Sequence, residues 1–82
     1  MIKNIPNKYD QTTLLNEIDK NHSFRYDFFY LPIDFGNHAN VGYAFVNFVH
    51  PLFILDFYQE FNGRRWPKYN SPKIGLIKYG RL

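Results

Sequence analysis

The stretch that most constrains the fold is residues 41–48, which read Val-Gly-Tyr-Ala-Phe-Val-Asn-Phe. Successive side chains of a β-strand point to opposite faces of the sheet. A strand at this position therefore has one face with two aromatic rings and an amide, and a second face that is aliphatic apart from one ring. The first set is Val41, Tyr43, Phe45 and Asn47, and the second is Ala44, Val46 and Phe48.

The rest of the chain supplies two helices and further strands. Asp10 is a favourable helix N-cap residue, and Pro51 suits the first position of a second helix. That helix can end at Asn62 and Gly63, because glycine accepts the left-handed conformation. The predicted strands are residues 1–5, 26–33, 41–49 and 73–79, with a short extra strand at 64–66, and the predicted helices are residues 11–21 and, led by Pro51, 52–61.

This order, βαββαβ, indicates the fold class. Two helices cannot cover both faces of a four-stranded sheet, so they most simply pack on one face. We predict an α+β, ferredoxin-like (split βαβ) sandwich with a four-stranded antiparallel sheet and two helices on one face. Ala44 and Phe48 then lie under the helices, while Tyr43 and Phe45 lie on the open face. At 82 residues the chain is predicted to be a single domain, residues 1–82, slightly truncated at the start of the first strand.

With this topology, residues 41–48 resemble the RNP octamer of an RNA recognition motif, K/R-G-F/Y-G/A-F-V-x-F/Y, and only Val41 departs from it. Residues 4–9 (Asn-Ile-Pro-Asn-Lys-Tyr) and residues 26–32 (Tyr-Asp-Phe-Phe-Tyr-Leu-Pro) further resemble the C-terminal motif of the Mei-two-like proteins. The resemblance implies an intracellular regulator of RNA, of the meiosis type, in the nucleus or the cytoplasm. Members of that family carry further RNA recognition motifs, so it also implies either a fragment or a reduced single-domain relative.

The resemblance implies that Tyr43 and Phe45 stack on the bases of single-stranded RNA. Asn47 and Lys3 are expected on the same face, where they could bond base edges or phosphate. Two usual contributors are weaker here. Met1 stands where the first strand of the motif offers an aromatic ring, and Val41 stands where the octamer offers a cation.

The second predicted strand can widen the aromatic face. Simple alternation places Tyr26, Phe28 and Tyr30 on one face and Phe29, Leu31 and Ile33 on the other. If the second set is core, the first set joins the open face. A one-residue slip of register would exchange the two sets.

Positive charge is concentrated near the C-terminus. Residues 61–82 hold six Lys and Arg and no Asp or Glu, whereas the first sixty residues hold four cations and seven acids. Arg64, Lys78 and Arg81 are therefore candidate phosphate contacts. A solvated basic edge, which discourages sheet aggregation, explains the same pattern equally well. In the predicted loop, Asn37, His38 and Asn40 are further candidate RNA contacts.

A second function fits part of the sequence. Some RNA recognition motifs bind a peptide instead, through an Arg-x-Phe motif after the second helix. Residues 63–66 (Gly-Arg-Arg-Trp) nearly match that motif. In this alternative, Leu52, Leu55 and Trp66 are the contacts for a protein partner. Such domains usually lose the octamer aromatics, which this chain keeps.

No motif of the sequence indicates catalysis or cofactor binding. His22, His38 and His50 lack metal-ligand spacing, and the chain has no cysteine. No Gly-rich phosphate loop is present. No apolar stretch approaches the roughly 20 residues of a membrane span. We therefore predict no enzyme activity, no metal, no cofactor and no membrane partner.

Overall fold

The structure, a computed structural model, describes residues 1–79 and confirms the predicted βαββαβ order. Its four strands form a single antiparallel sheet in the order β2-β3-β1-β4, as the ferredoxin-like α+β class requires. The elements are β1 (Ile2–Lys3), α1 (Gln11–His22), β2 (Tyr26–Tyr30), β3 (Tyr43–Phe48), α2 (Pro51–Phe61) and β4 (Leu76–Ile77).

Both helices begin and end where the sequence predicts, to within one residue. The backbone N–H of Thr13 donates to Oδ1 of Asp10 at 2.7 Å, so Asp10 is the N-cap of α1. Helix α2 begins at Pro51, and the backbone N–H of Leu52 donates to Nδ1 of His50, which is the N-cap residue. Gly63 follows α2 with φ +76°, the left-handed conformation predicted for it.

All four strands are shorter than predicted, and in β1 and β3 a residue with positive φ limits the strand. Asn4 has φ +62° and ends β1 after Lys3. Gly42 has φ +97°, so β3 starts at Tyr43 and Val41 lies outside the strand. The predicted strand at 64–66 is reduced to an isolated bridge between Arg65 and Ile74.

The core lies between the helices and one face of the sheet. As predicted, Ala44 and Phe48 are buried on this face, and Val46 packs against the same cluster. Phe57 and Phe61 of α2 stack on each other with ring centroids 4.6 Å apart. The fully assembled cluster comprises Ile2, Ile5, Tyr9, Leu14, Ile18, Leu31, Ala44, Phe48, Phe57, Phe61 and Trp66.

Helix α2 buries less of its surface than its sequence pattern predicts. Ile54, Phe57, Tyr58 and Phe61 are spaced at the 3.6-residue period that is typical of one packed helix face. Phe57 and Phe61 are buried, but Ile54 and Tyr58 are exposed. Both line a cavity of about 410 Å³ between α2 and the sheet, near the start of β1, instead of closing it. The core contact of α2 is therefore concentrated in its last two turns.

Neither helix of the described part of the chain could cross a membrane. Helix α1 has 12 residues and α2 has 11, against the roughly 20 that a spanning helix needs.

Candidate nucleic-acid interface

The two octamer rings lie on the face of the sheet that the helices leave open. Tyr43 is 38% exposed and Phe45 is partly exposed, while their strand neighbour Ala44 is completely buried on the opposite face. The rings of Tyr43 and Phe45 meet edge to face, with centroids 5.7 Å apart and planes at 81°. Such aromatic pairs are mutually stabilising. The pair is thus held in place and still presents ring surface to solvent, as predicted.

Strand β2 adds two more rings to this face. Residues directly opposite each other in an antiparallel pair share a face of the sheet. Tyr30 pairs with Phe45, and Phe28 pairs with Asn47. Both Phe28 and Tyr30 are exposed. We call Phe28, Tyr30, Tyr43 and Phe45 the aromatic face, and all four were predicted to lie there.

The prediction that Tyr26 joins the aromatic face is wrong. Tyr26 pairs with Phe48 but Phe28 pairs with Asn47, so β2 contains a β-bulge with one extra residue, Asp27. The bulge turns Tyr26 to the helix side, where its ring packs against Phe48 and its hydroxyl donates to Oδ1 of Asp19 at 2.7 Å. Burial, followed by that hydrogen bond, raises the pKa of Tyr26 to about 12. The alternation of side chains cannot reveal an extra residue, so the bulge is not predictable from the sequence.

The same bulge puts a carboxylate beside the predicted polar residue of the face. Nδ2 of Asn47 donates to Oδ1 of Asp27 at 2.8 Å, and both side chains are exposed. Asn47 is therefore on the open face as predicted, with its amide oriented by a neighbour. Asp27 was not among the predicted site residues, because simple alternation placed it on the core face.

Two lysines and one methionine border the aromatic face on the side of β1 and β4. Lys3 pairs with Tyr43 and is exposed. The terminal nitrogen of Met1 donates to the carbonyl of Lys78, and the N–H of Lys78 donates back to the carbonyl of Met1. This reciprocal pair continues the register of β1 and β4, so Met1 and Lys78 share the face of Lys3. Lys3 and Met1 are on the face predicted for them, and Met1 is half-buried. Lys78, a candidate phosphate contact, lies beside them.

Arg64 does not border the aromatic face. Its guanidinium contacts the carboxylate of Glu60 at 3.4 Å, one helical turn away, and lies over the ring of Phe61. Glu60 is also bonded to Asn21 and His22 of α1, so this cluster belongs to the helix side. The candidate phosphate contact Arg64 therefore lies on the helix side, away from the aromatic face. The candidate Arg81 lies outside the described residues.

Two other cations of the C-terminal region, Lys73 and Arg65, bond groups within the fold. Nζ of Lys73 donates to the carbonyl of Ile5 and to Oδ1 of Asn7, both at 3.3 Å. Nε of Arg65 donates to the carbonyl of Ser71. Part of the positive charge of the C-terminal region is thus used in contacts within the fold, which favours Lys78 and Lys3 over Arg64, Arg65 and Lys73 as phosphate contacts.

The candidate loop residues have different roles. Asn40 is buried, and its Nδ2 donates to the carbonyls of Pro6 and Tyr9, each at 2.8 Å. Its Oδ1 accepts from the N–H of Gly42. Asn40 therefore links residues 6–9 to the start of β3, and both its amide nitrogen and its amide oxygen are used within the fold. Because it is also buried, the prediction that it contacts RNA is wrong. Its neighbours Asn37 and His38 are exposed.

Asn40 is part of a larger hydrogen-bond network, which we call the clamp: residues 4–9 together with Asn40 and Trp66. The Tyr9 hydroxyl donates to Oε1 of Glu17 at 3.0 Å and accepts from the N–H of Lys68. Burial, with a hydrogen bond and charge from Glu17, raises the pKa of Tyr9 to about 12. The clamp thus connects residues 4–9 to α1, to the loop before β3 and to the segment after α2.

Trp66 cannot serve as the contact residue of the peptide-binding alternative. It is only 4% exposed, and its Nε1 donates to the carbonyl of Asn4 at 2.8 Å. Its ring packs edge to face against Tyr9. The prediction of Trp66 as a partner contact is therefore wrong, while Leu52 and Leu55 are 64% and 52% exposed on α2.

The described residues contain no group of three His, Cys, Asp or Glu side chains that could hold a metal ion. The groups that the open face can present to a ligand are the four rings of the aromatic face, the amines of Lys3 and Lys78, and the Asp27–Asn47 pair.

Comparison with known proteins agrees with this geometry. The model of the family described as RNA recognition motif 2 matches residues 1–82. All 82 residues align with Protein MEI2-like 2 of Oryza sativa subsp. japonica at 57% identity, and with Protein MEI2-like 3 of Arabidopsis thaliana at 55%. The chain spans only 10% and 11% of the lengths of these two relatives.

Two solved structures share the fold. One is the structure of the Rna15 RRM with bound RNA (GU), with a TM-score of 0.78 and 15% identity over 99% of this chain and 80% of that one. The other comprises Sex-lethal RNA recognition domains 1 and 2 from Drosophila melanogaster, with a TM-score of 0.76 and 17% identity over 99% of this chain and 48% of that one.

Proposed function

Because this chain belongs to the RNA recognition motif 2 family, whose members are RNA-binding modules and not enzymes, we propose that it binds single-stranded RNA on the open face of its sheet. The observation that supports this most directly is the position of Tyr43 and Phe45. Their rings are on the solvent side of β3 while both helices lie on the other side. Every base has a flat π-face, so such rings accept unpaired nucleotides of any sequence.

The neighbouring side chains suit the same ligand. Phe28 and Tyr30 extend the ring surface onto β2, which allows further bases to stack along the β2–β3 pair. Lys3 and Lys78 lie at the β1–β4 side of the face, where they can contact the phosphates of a bound strand. The missing octamer cation at Val41 and the missing ring at Met1 are thus offset by β2 and by these two lysines.

We also propose the biological setting. The similarity to MEI2-like proteins over the whole chain supports a role in controlling RNA during meiosis or development, in the nucleus or the cytoplasm. The RNA bound in the Rna15 structure supports the ligand class through the shared fold.

The direct test replaces both octamer rings. Stacking contributes about 1–3 kcal/mol per base, so Tyr43→Ala combined with Phe45→Ala should weaken RNA binding at least 30-fold, by roughly 2 kcal/mol or more. Binding is measured by fluorescence anisotropy with a pool of short single-stranded RNA at fixed salt. Circular dichroism should be unchanged, and stability should fall only by about the 0.5–1.5 kcal/mol that an aromatic pair contributes, because the buried core is left intact.

Phe24→Ala is the matched control, since Phe24 is 98% exposed in the loop between α1 and β2. It removes an exposed ring without touching the aromatic face, and its affinity should equal that of the wild type. A double variant that is folded and binds RNA normally would refute stacking on the sheet.

A further inference from the structure

The open face contains a carboxylate, which is unexpected on a surface proposed to bind a polyanion. Asp27 reaches this face only because of the β-bulge in β2, where Asp27 and Phe28 together oppose Asn47. Bulges often re-aim a side chain next to a functional site. We propose that the Asp27–Asn47 pair is a base-reading site that selects a nucleobase with an exocyclic amino group, and thus disfavours uracil. This inference rests on the proposed RNA binding.

The pair lies where the edge of a stacked base would fall. Phe28 is directly opposite Asn47 across the strand pair, and Phe45 precedes Asn47 by two residues on the same face. Opposite and alternate residues on one face have Cβ atoms roughly 5–7 Å apart, about the width of a base. A base stacked on either ring therefore presents its polar edge to the pair.

The hydrogen bond between the two side chains fixes what they offer. Asn47 uses one N–H of its amide on Oδ1 of Asp27. Within residues 1–79, the fold provides no hydrogen-bond partner for Oδ2 of Asp27 or for Oδ1 of Asn47. An ionised carboxylate only accepts hydrogen bonds. The pair thus presents two acceptor oxygens, with one remaining amide N–H beside them.

Two acceptors select for donors on the base. Cytosine and adenine each have an exocyclic NH₂ group, and guanine has an NH₂ beside a ring N–H, whereas the corresponding edge of uracil has a single N–H between two carbonyls. Pairing of Asp or Glu with the amino group of cytosine is an established mode of base recognition. The uracil carbonyls would instead lie against the carboxylate and repel it.

The competing interpretation is purely electrostatic. A carboxylate on this face could simply weaken phosphate binding, and its effect would then be the same for every base. The two interpretations differ in sign: neutralising a repulsive carboxylate strengthens all binding, whereas neutralising a reading carboxylate weakens binding only of the selected bases.

The experiment uses Asp27→Asn, which keeps an acceptor for Asn47 and removes the charge. The probes are an eight-nucleotide uridine RNA and derivatives with a single cytidine, adenosine or guanosine at each position. We expect the wild type to bind at least one of these substitutions about five- to tenfold more tightly than the uridine RNA, and Asp27→Asn to lose that preference.

Asp56→Asn is the control for charge, because Asp56 is an exposed acid on α2 that pairs with Arg25 and lies away from the open face. It should keep the base preference. Equal strengthening of all RNAs by Asp27→Asn, or an unchanged preference in that variant, would overturn the inference. If the wild type shows no base preference but the Tyr43→Ala, Phe45→Ala variant loses binding, the reading site is wrong and the proposed function stands. If the wild type binds none of the RNAs, the proposed function itself fails.

Discussion

Two regions of this molecule are rich in aromatic rings and use them in opposite ways. The aromatic face holds Phe28, Tyr30, Tyr43 and Phe45 towards solvent, while the clamp buries Tyr9 and Trp66 under a network of hydrogen bonds. Both regions lie in segments that resemble known family motifs, so the resemblance alone does not show which of them is exposed and which is buried. Their exposure differs: the aromatic face is the surface that we propose binds RNA, and the clamp holds residues 4–9 against the rest of the fold.

The hydrogen-bond pattern makes the same distinction. In the clamp, the buried Asn40 amide is used on both sides, by the carbonyls of Pro6 and Tyr9 and by the N–H of Gly42. On the open face, Asn47 has a single partner, Asp27. A fully satisfied buried group stabilises a structure, whereas a partly satisfied exposed group can still bind something else.

The largest expected effect lies in the clamp. Asn40→Asp replaces the donor that bonds two buried carbonyls with a carboxylate that can only accept. Leaving buried acceptors unsatisfied costs about 1–3 kcal/mol each, so the free energy of unfolding should fall by about 3 kcal/mol or more in urea denaturation. Asn37→Asp, at an exposed loop position, should change it by less than about 0.5 kcal/mol. Equal effects at the two positions would show that the clamp does not stabilise the fold.

A smaller effect separates two neighbouring rings of β2. Phe28→Ala should weaken RNA binding about five- to tenfold, because a stacked base loses its platform. Tyr26→Phe, two residues away, removes only the hydrogen bond to Asp19 on the helix side and should leave affinity unchanged while costing about 1 kcal/mol of stability. Anisotropy titrations and melting curves of both variants measure this. If Tyr26→Phe weakened RNA binding as Phe28→Ala does, the bulge would not separate the two faces in solution.

The smallest effect concerns charge. Lys3→Ala combined with Lys78→Ala should weaken binding to all RNA sequences and reduce the slope of log affinity against log salt by about 1 to 2. Arg64→Ala should leave that slope unchanged, because its guanidinium contacts Glu60 on the helix side. Titrations at several salt concentrations measure both slopes, and a change found only with Arg64→Ala would move the phosphate path away from the open face.

The faces of β3 could be predicted from sequence because strand alternation is local, and the burial of Ala44 and Phe48 follows from it. The ends of the helices could also be predicted from sequence, because Asp10, Pro51 and Gly63 affect the backbone within one turn of their own position. The predictions that failed depend on features outside that range. The sequence of β2 does not reveal that Asp27 is an extra, unpaired residue. Because that residue shifts the alternation, the face of Tyr26 was predicted wrongly.

Long-range hydrogen bonds set the remaining limit. Asn40 bonds backbone atoms more than 30 residues away, and Trp66 bonds the carbonyl of Asn4 across 62 residues. A sequence motif near a helix end therefore looked like a peptide-binding feature, although the fold uses its tryptophan internally. The charge pattern is partly explained in the same way, because Lys73 bonds the carbonyl of Ile5 across 68 residues, a partner that only the tertiary structure brings near. Arg64 differs, since its partner Glu60 is one helical turn away.

The central claim is that the open sheet face, and not the clamp or α2, is the ligand-binding surface. The most direct measurement is a titration of the ¹⁵N-labelled protein with short single-stranded RNA, and then with a tryptophan-containing peptide, following the backbone amide shifts. We predict that RNA shifts the amides of β2 and β3 around Phe28, Tyr30, Tyr43 and Phe45, and that the peptide leaves the spectrum unchanged. Shifts confined to α2 around Leu52 and Leu55, with β2 and β3 unmoved, would contradict the account.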